Sequence, residues 1–369
     1  MIDLAAQRYN QESKLFKKVV NLPMQYIFPN SEAIQARPWK KPFLPRKLLI
    51  IRLHTYGDVL VAMPAVQNLK TLHPSIEMHL LVCKQYADLP RNMVVFSKIH
   101  TLKNARGGRK MGFDVVKIYP TLLLERFDAV IDLQNNIFST ITRKALFPMA
   151  WCQFDRFSKI HVAYRYQNTI NAIGLGDTEI GDKIVLHNDA SGTEKLIAAG
   201  WNGSDRLIVL NACGLYATRR WGADKYLEFA QMWLEKVDKA TKFLLLGLPG
   251  MQYTVDLMEK NLGNSCFNLI GQTSLREVFN IVQRVNLTLS DDGGLLHTSW
   301  INQVPTIGFL GASPSYWGIP LGKKSFGFTS ADLPCGDCHR TECIWGDNRC
   351  LARITSAMAF EKAKELLDL

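Results

Sequence analysis

No apolar run in this 369-residue chain approaches the roughly 20 residues that a membrane-spanning helix needs. The N-terminus also lacks the order of basic, apolar and small residues that marks a secretory signal, so a cytoplasmic protein is expected. Short-period repeats and low-complexity tracts are missing, which argues against a repeat array. Acidic residues are the minority, 33 against 44 basic ones, and the formal net charge is +11. An excess of that sign suits an anionic partner: nucleic acid, acidic lipid or a phosphorylated substrate.

What is present is an ordinary soluble-enzyme composition, 47% hydrophobic and 21% charged, in a chain too long for one core. From Lys47 onward, short β-branched or leucine-rich runs alternate with amphipathic segments, the pattern of strands and crossover helices in a parallel sheet. "KLLIIRL", "MHLLV" and "FDAVIDL" predict strands, and "VLVAMPAVQNLKTL" predicts a helix that Pro64 should kink or delay. The pattern restarts with "RLIVLNA", "KFLLLG", "VNLTLS" and "VPTIGFL", separated by "ADKYLEFAQMWLEKV", "SLREVFNIVQR" and "GLLHTSWIN". Two α/β domains are therefore expected, 47–195 and 196–350, divided at a Gly-, Ser- and Asn-bearing stretch near 190–204. Residues 1–46 fit neither sheet and form a basic extension; the first fifty positions hold nine basic residues against three acids. Its "NQESKLFKKVVNLPMQYIF" suits an amphipathic helix that packs on the body or rests on a membrane surface. Residues 351–369 predict a C-terminal helix with Ala357, Phe360, Ala363 and Leu366 or Leu367 on one face.

Open parallel sheets bind ligands at the carboxyl ends of their strands. In "IIRLHTYGDVL" that position holds Gly57 and Asp58 at a helix start. In "LTLSDDGGLLH" it holds Asp291, Asp292, Gly293 and Gly294, with His297 in the helix that follows. Glycines let the backbone approach a ligand, and a helix N-terminus offers unpaired N–H groups and partial positive charge, so this is a phosphate cradle. "NACGLYATRRWGADKYLEF" repeats the arrangement, with Arg219 and Arg220 ahead of Trp221. Two such loops at neighbouring strand ends point to a diphosphate. Taken singly, Asp58, Asp291 or Asp292 could each be a helix N-cap and His297 a surface histidine.

Four blocks, in order, resemble glycosyltransferase family nine, the ADP-heptose heptosyltransferases of bacterial lipopolysaccharide core synthesis: "LLIIRLHTYGDVLVAMPAVQNLK", "FDAVIDLQNN", "NACGLYATRRWGADKYLEFA" and "NLIGQTSLREVFNIVQRVNLTLSDDGGLLHTSWINQVPTIGFLG". The resemblance implies an α/β GT-B fold, two Rossmann-like domains facing across a cleft. It implies inverting transfer from an ADP-activated heptose or related sugar, with Asp58 as general base. The donor would be held by Arg219, Arg220, Asp292, Gly293, Gly294, Leu295 and His297, with "IGQTSL" near the base. Gly293 stands where the family has a hydroxyl residue, and Arg219 where lysine is more usual. No cofactor is then required for catalysis, and no Asp-x-Asp of the metal-dependent kind stands in a comparable context. The cluster Lys103, Arg106, Arg109 and Lys110, around Gly107 and Gly108, reads as a mobile loop. On the acceptor side of such an enzyme it would meet an anionic glycan or glycolipid such as lipopolysaccharide core, with peripheral contact to the inner membrane.

Of eight cysteines, Cys83, Cys152, Cys213 and Cys266 lie in or beside apolar stretches and read as reduced core residues. Cys335, Cys338, Cys343 and Cys350 follow C-x2-C-x4-C-x6-C; a structural zinc or iron, free thiols and disulfides all remain open. A nucleic-acid- or metal-binding protein built on that cluster is a competing reading, but no basic recognition helix follows it, so no nucleic-acid partner is expected. "LHTYGD" lacks G-x-G-x-x-G, which counts against a nicotinamide-dependent oxidoreductase.

Overall fold

The computed structural model describes residues 34–369 except 104–107, 157, 182 and 188–189. The N-terminal domain runs β1 (Ala36–Arg37), β2 (Lys47–Ile51), α1 (Tyr56–Leu72), β3 (Glu77–Cys83), α2 (Asp88–Asn92), β4 (Lys98–Leu102), α3 (Gly108–Glu125), β5 (Ala129–Asp132), α4 (Ile137–Ala145), β6 (Ala150–Gln153) and α5 (Val162–Asn171). Its sheet order is β1-β6-β5-β2-β3-β4. The C-terminal domain runs α6 (Ser191–Ala198), β7 (Leu207–Asn211), α7 (Ala223–Lys236), β8 (Lys242–Leu245), α8 (Gln252–Leu262), β9 (Cys266–Asn268), α9 (Leu275–Val282), β10 (Leu287–Asp291), α10 (Gly294–Ile301), β11 (Thr306–Phe309), α11 (Ser315–Gly318), β12 (Ser325–Phe328), α12 (Arg349–Ala352) and α13 (Ser356–Leu366). Its order is β12-β11-β10-β7-β8-β9, parallel throughout. These are the two expected Rossmann-like sheets. Helices cover both faces, so central strands are apolar at every position: Leu48, Leu49, Ile50 and Ile51 are all fully buried.

Local chemistry sets the helix starts. Asn136 and Ser139 form a reciprocal capping box at α4, and Ser274 with Glu277 forms another at α9. Each joins a strand end directly to a helix, which keeps the carboxyl edge short.

Several expectations need correction. The N-terminal extension is not wholly outside the sheets: within it, β1 pairs antiparallel with β6 (Ala36 with Cys152, Arg37 with Trp151), covering an edge that would otherwise expose unpaired backbone groups. The basic segment upstream lies outside the described residues. Pro64 does not delay α1, which begins at Tyr56 and runs through the proline; the lost amide hydrogen bond is outweighed by burial of Val59–Ala65. The domain boundary falls before α6, because Leu196 packs with Phe267 and Ile281 in the C-terminal core. On α13 the buried face is Ala359, Phe360 and Ala363, while Ala357 is exposed. Arg109 and Lys110 lie in the first turn of α3, not in a loop, and Arg106 lies outside the described residues.

The domains are closed on each other. Phe279, Trp300 and Ile301 of the C-terminal domain join the same buried cluster as Val59, Leu60 and Met63 of α1. The Tyr56 and Thr298 hydroxyls lie 3.3 Å apart, the Arg276 amide donates to Asp88 at 3.2 Å, and His161 Nε2 donates to the Ile319 carbonyl at 2.9 Å. Among the described residues no helix is long and apolar enough to cross a membrane.

Candidate active site

In each sheet the strand order reverses beside the first parallel strand, between β2 and β5 and between β7 and β10. A crevice opens at such a point because the flanking helices leave on opposite faces. The two crevices face each other, and of the residues singled out in the sequence Asp58, Arg219, Asp292 and His297 gather there.

On the N-terminal side, Asp58 is the third residue of α1 and its side chain is 39% exposed. It is not an N-cap: that position is Thr55, whose side chain caps no backbone amide. Instead the Asp58 carboxylate takes an ion pair from Arg52 at 2.7 Å, a hydrogen bond from the Thr55 hydroxyl at 2.9 Å and another from the Tyr166 hydroxyl at 3.2 Å. Burial works against its ionisation, but Arg52, Thr55, His297 and Tyr166 together hold its carboxyl below the usual carboxylate range. Arg52 is itself buried, and its Nη1 donates to the Leu133 carbonyl at 3.0 Å and to Gln134 at 3.2 Å. Gln134 Oε1 also accepts from the Leu53 and His54 amides, at 3.0 and 3.2 Å, and so shapes the loop ahead of Asp58.

On the C-terminal side the two adjacent acids divide their work. Asp291 is 1% exposed and accepts from the Gly214 and Trp221 amides, each at 3.0 Å, and from the Tyr226 hydroxyl at 3.1 Å. It ties the end of β10 to the loop after β7. Burial pushes its carboxyl up to about 7, against the pull of those three donors. Asp292 instead faces the cleft, 3.1 Å from Arg219 Nη1, and also accepts from the Ser313 hydroxyl. Arg219 is thereby aimed across the N-terminus of α10. Its neighbour Arg220 is turned back on its own loop, Nε donating to the Gly214 carbonyl at 2.7 Å. Trp221 is a packing residue, stacked 4.0 Å from Phe309 and donating from its indole to the Ile354 carbonyl at 2.8 Å. The Leu295 side chain is buried in the core, which leaves only its backbone for a ligand.

His297 closes the cleft from the same helix. The Trp300 indole N–H, which can only donate, donates a hydrogen bond to His297 Nδ1 at 3.1 Å. In the neutral ring the remaining proton is then on Nε2. Burial lowers the pKa of this imidazole, opposed by Asp292 and Asp58, so the neutral form is favoured. A methyl group built on Gly57 would stand 3.1 Å from the His297 ring, and one on Gly294 would stand 2.6 Å from Tyr56. The Asp58 loop and the α10 N-terminus therefore meet with no room to spare.

Sequence reasoning missed Arg52, Gln134, Tyr166 and the structural task of Asp291. Of these only Arg52 carried a local signal, a lone cation ending an apolar strand.

Lys103 follows β4 at the same sheet edge, two strands from β2, and is exposed, as are Arg109 and Lys110 at the start of α3. The cysteine-bearing segment packs against the loops that follow β7 and β11: Thr218 donates to the Arg340 carbonyl at 2.6 Å, and the His339 amide to that of Ala312 at 2.7 Å. All eight cysteines are free thiols. Burial raises the Cys350 thiol, and Cys338, Cys343 and Cys335 add to the rise. Among the described residues, however, only His79, His100 and Glu125 bring three potential metal-ligand atoms within 4.8 Å of one another. That trio begins at the far end of β3, away from the cleft, and Glu125 is already paired with Lys47 at 2.7 Å and Lys98 at 2.5 Å.

Two closed Rossmann-like domains, with Asp58 on one side of the cleft and Arg219, paired with Asp292 ahead of α10, on the other, make up the GT-B fold. Residues 186–348 match the model of glycosyltransferase family 9 (heptosyltransferase). The lipopolysaccharide core heptosyltransferase OpsX of Haemophilus influenzae is 23% identical over 325 residues, 79% of this chain and 90% of that protein. A family 9 glycosyltransferase from Veillonella parvula superposes with a TM-score of 0.74 at 17% identity, covering 87% of this chain and 97% of that one. The heptosyltransferase WaaC of E. coli, solved with ADP, superposes with a TM-score of 0.66 at 16% identity, covering 87% and 99%. The chain is thus similar to the family 9 glycosyltransferases, in sequence over residues 186–348 and in the fold of both domains.

Proposed function

We propose that this protein transfers a heptose, or a closely related sugar, from an ADP-activated donor to a hydroxyl of an anionic glycolipid or glycan, of the kind found in lipopolysaccharide core, with inversion and without a catalytic metal. The observation that carries the reading is the placement of Asp58, held as a carboxylate by Arg52, opposite the Arg219–Asp292 pair and His297. Asp58 accepts the proton of the attacking hydroxyl. The sugar–phosphate bond breaks on the opposite face, and the diphosphate leaves toward Arg219, the amides at the start of α10 and the Nε2–H of His297. These groups supply the positive charge that a divalent cation supplies elsewhere. ADP as the nucleotide, and lipopolysaccharide as the source of the acceptor, are carried over from WaaC and OpsX.

Lys103, Arg109 and Lys110, with Arg106, would attract carboxylates or phosphates of the acceptor. The enzyme would then work at the cytoplasmic face of the inner membrane as a peripheral protein. The four thiols of Cys335, Cys338, Cys343 and Cys350 suit a structural zinc or iron by their chemistry; metal analysis of the purified protein, with Cys338→Ser and Cys350→Ser as controls, tests this apart from activity.

Calorimetric titration with ADP, UDP, GDP and NAD⁺, with and without a chelator, tests the main reading. Selective ADP binding that survives the chelator and Asp58→Ala but is lost in Arg219→Ala is the expected result. Preference for another nucleoside diphosphate would replace the donor, and turnover that needs Mg²⁺ would overturn the metal-free scheme.

A further inference from the structure

On the N-terminal domain, α3 and α4 lie side by side on the sheet face turned away from the C-terminal domain, joined by Phe138 packing over Gly112 and by the Tyr119 hydroxyl donating to the Ala145 carbonyl at 3.0 Å. The inner face of α3 is mainly apolar, as its packing requires: Met111, Val115 and Leu122 are buried, with Asp114 beside them. A solvated helix would then be polar on its outer face. Here the outer arc, stepping by three and four residues, is instead Arg109, Phe113 (67% exposed), Val116 (70%), Pro120 and Leu124 (82%), with Lys117 beside it. The neighbouring helix repeats this with Ile137, Ile141 and Lys144, all exposed. Just beyond it Phe147 is 83% exposed and held at φ 46, a left-handed backbone that bulky residues rarely adopt.

Charge on this face has one sign. Between positions 108 and 149 the exposed charged residues are Arg109, Lys110, Lys117, Arg126 and Lys144. The acids of the same stretch, Asp114, Glu125, Asp128 and Asp132, are buried or half-buried. Large apolar side chains interleaved with cations over the length of α3, roughly 27 Å, match the chemistry of an anionic bilayer surface. Side chains of the first kind enter the acyl boundary and those of the second meet headgroup phosphates.

We infer that the α3–α4 face docks this protein on a membrane bearing anionic lipid. The inference rests on the glycolipid-acceptor reading only for its purpose; the face itself is argued from exposure and charge. Both helices begin at the carboxyl edge of the sheet, so a membrane under this face would border the acceptor side of the cleft.

Cosedimentation of the full chain with phosphatidylcholine vesicles, with and without phosphatidylglycerol, tests it. Binding is expected only with the anionic lipid. Val116→Ser combined with Leu124→Ser and Ile141→Ser should weaken it at least tenfold. Lys117→Gln with Lys144→Gln should weaken it about 25-fold, each lysine near an anionic surface being worth about fivefold. ADP binding and transfer to a delipidated, water-soluble acceptor should be unchanged in both variants. Vesicle binding equal to wild type in both variants would overturn the inference and assign docking to the basic N-terminal segment. A dimer broken by the same substitutions, without vesicle binding, would overturn it in favour of a second copy of the chain. Docking that depends on the face, with no transfer to any glycolipid, would keep the inference and sink the acceptor reading.

Discussion

The Arg52 guanidinium stands 2.7 Å from the Asp58 carboxylate and is itself buried beneath it. A base so held is ionised well below neutrality and takes a proton only as one is released to it. Removing the carboxylate in Asp58→Asn should cut turnover by about 10²–10⁴-fold while leaving ADP affinity within about twofold, as read by steady-state kinetics and calorimetry. A stability loss without a rate loss would mean that Asp58 is merely a helix-start residue.

The same pair sets the acid limb of the pH profile. Arg52 favours the charged form of Asp58, so its carboxyl lies below the ordinary value and activity should persist to pH values below that range. In Arg52→Met the attraction is lost and burial remains, so the limb should move to higher pH. Stability follows the same sign: the contribution of a depressed carboxyl is present above its unfolded value and lost as pH falls through the folded one. A limb that does not move would show that another group is titrating.

Asp291 touches no ligand in this scheme, yet its loss should reach the donor. In Asp291→Ala the Gly214 and Trp221 amides stay buried without an acceptor, at about 1–3 kcal/mol each, and the loop that carries Arg219 loosens. Denaturant unfolding should show the stability loss and calorimetry a weaker ADP affinity. Since burial raises this carboxyl to about 7, the native state holds the proton more tightly than the unfolded chain. Its contribution to stability therefore falls as pH rises from its ordinary value toward 7, and Asp291→Asn should remove that slope.

These two acids show where reading from sequence stopped. The central parallel strands were legible because strands covered on both faces are apolar, as at Leu48–Ile51 and Leu207–Leu210, whereas the outer strands β4, β6, β9 and β12 lack such runs and were not read as strands. The short β1 has no such pattern; its place comes from the open edge of β6. Asp291 and Asp292 are adjacent and chemically alike, and only the direction of each side chain separates the buried tie from the cleft-facing partner of Arg219. Tyr166 reaches Asp58 from a helix 108 positions away, with nothing local to announce it. By contrast Asp58, Arg219 and His297 were findable because strand ends of open sheets converge.

The paired glycines make opposite predictions. Gly293 is extended, with φ 176 and open space where a side chain would go. Gly293→Ser should fold normally, gain a few tenths of a kcal/mol as a helix cap, and bind ADP at least as tightly through the added hydroxyl. Gly294 lies against the Tyr56 ring, and Gly294→Ala should prop the cleft open, lowering turnover tenfold or more with a smaller effect on ADP affinity. Equal behaviour of the two variants would contradict the closed geometry.

Trp300 tests whether the His297 tautomer matters. Its indole N–H is the donor that assigns the imidazole proton to Nε2, and the ring is otherwise buried packing. Trp300→Phe keeps most of that apolar volume and removes the N–H. With nothing to hold Nδ1 as acceptor, the imidazole can carry its proton on either nitrogen, and the Nε2–H aimed at the leaving diphosphate is no longer assured. Turnover should fall about tenfold with little change in acceptor KM, and His297→Ala made in that background should cost less than it does in the wild type. If the two substitutions multiply independently, the indole acts only through packing, and the donor role of His297 must be held in place by another group.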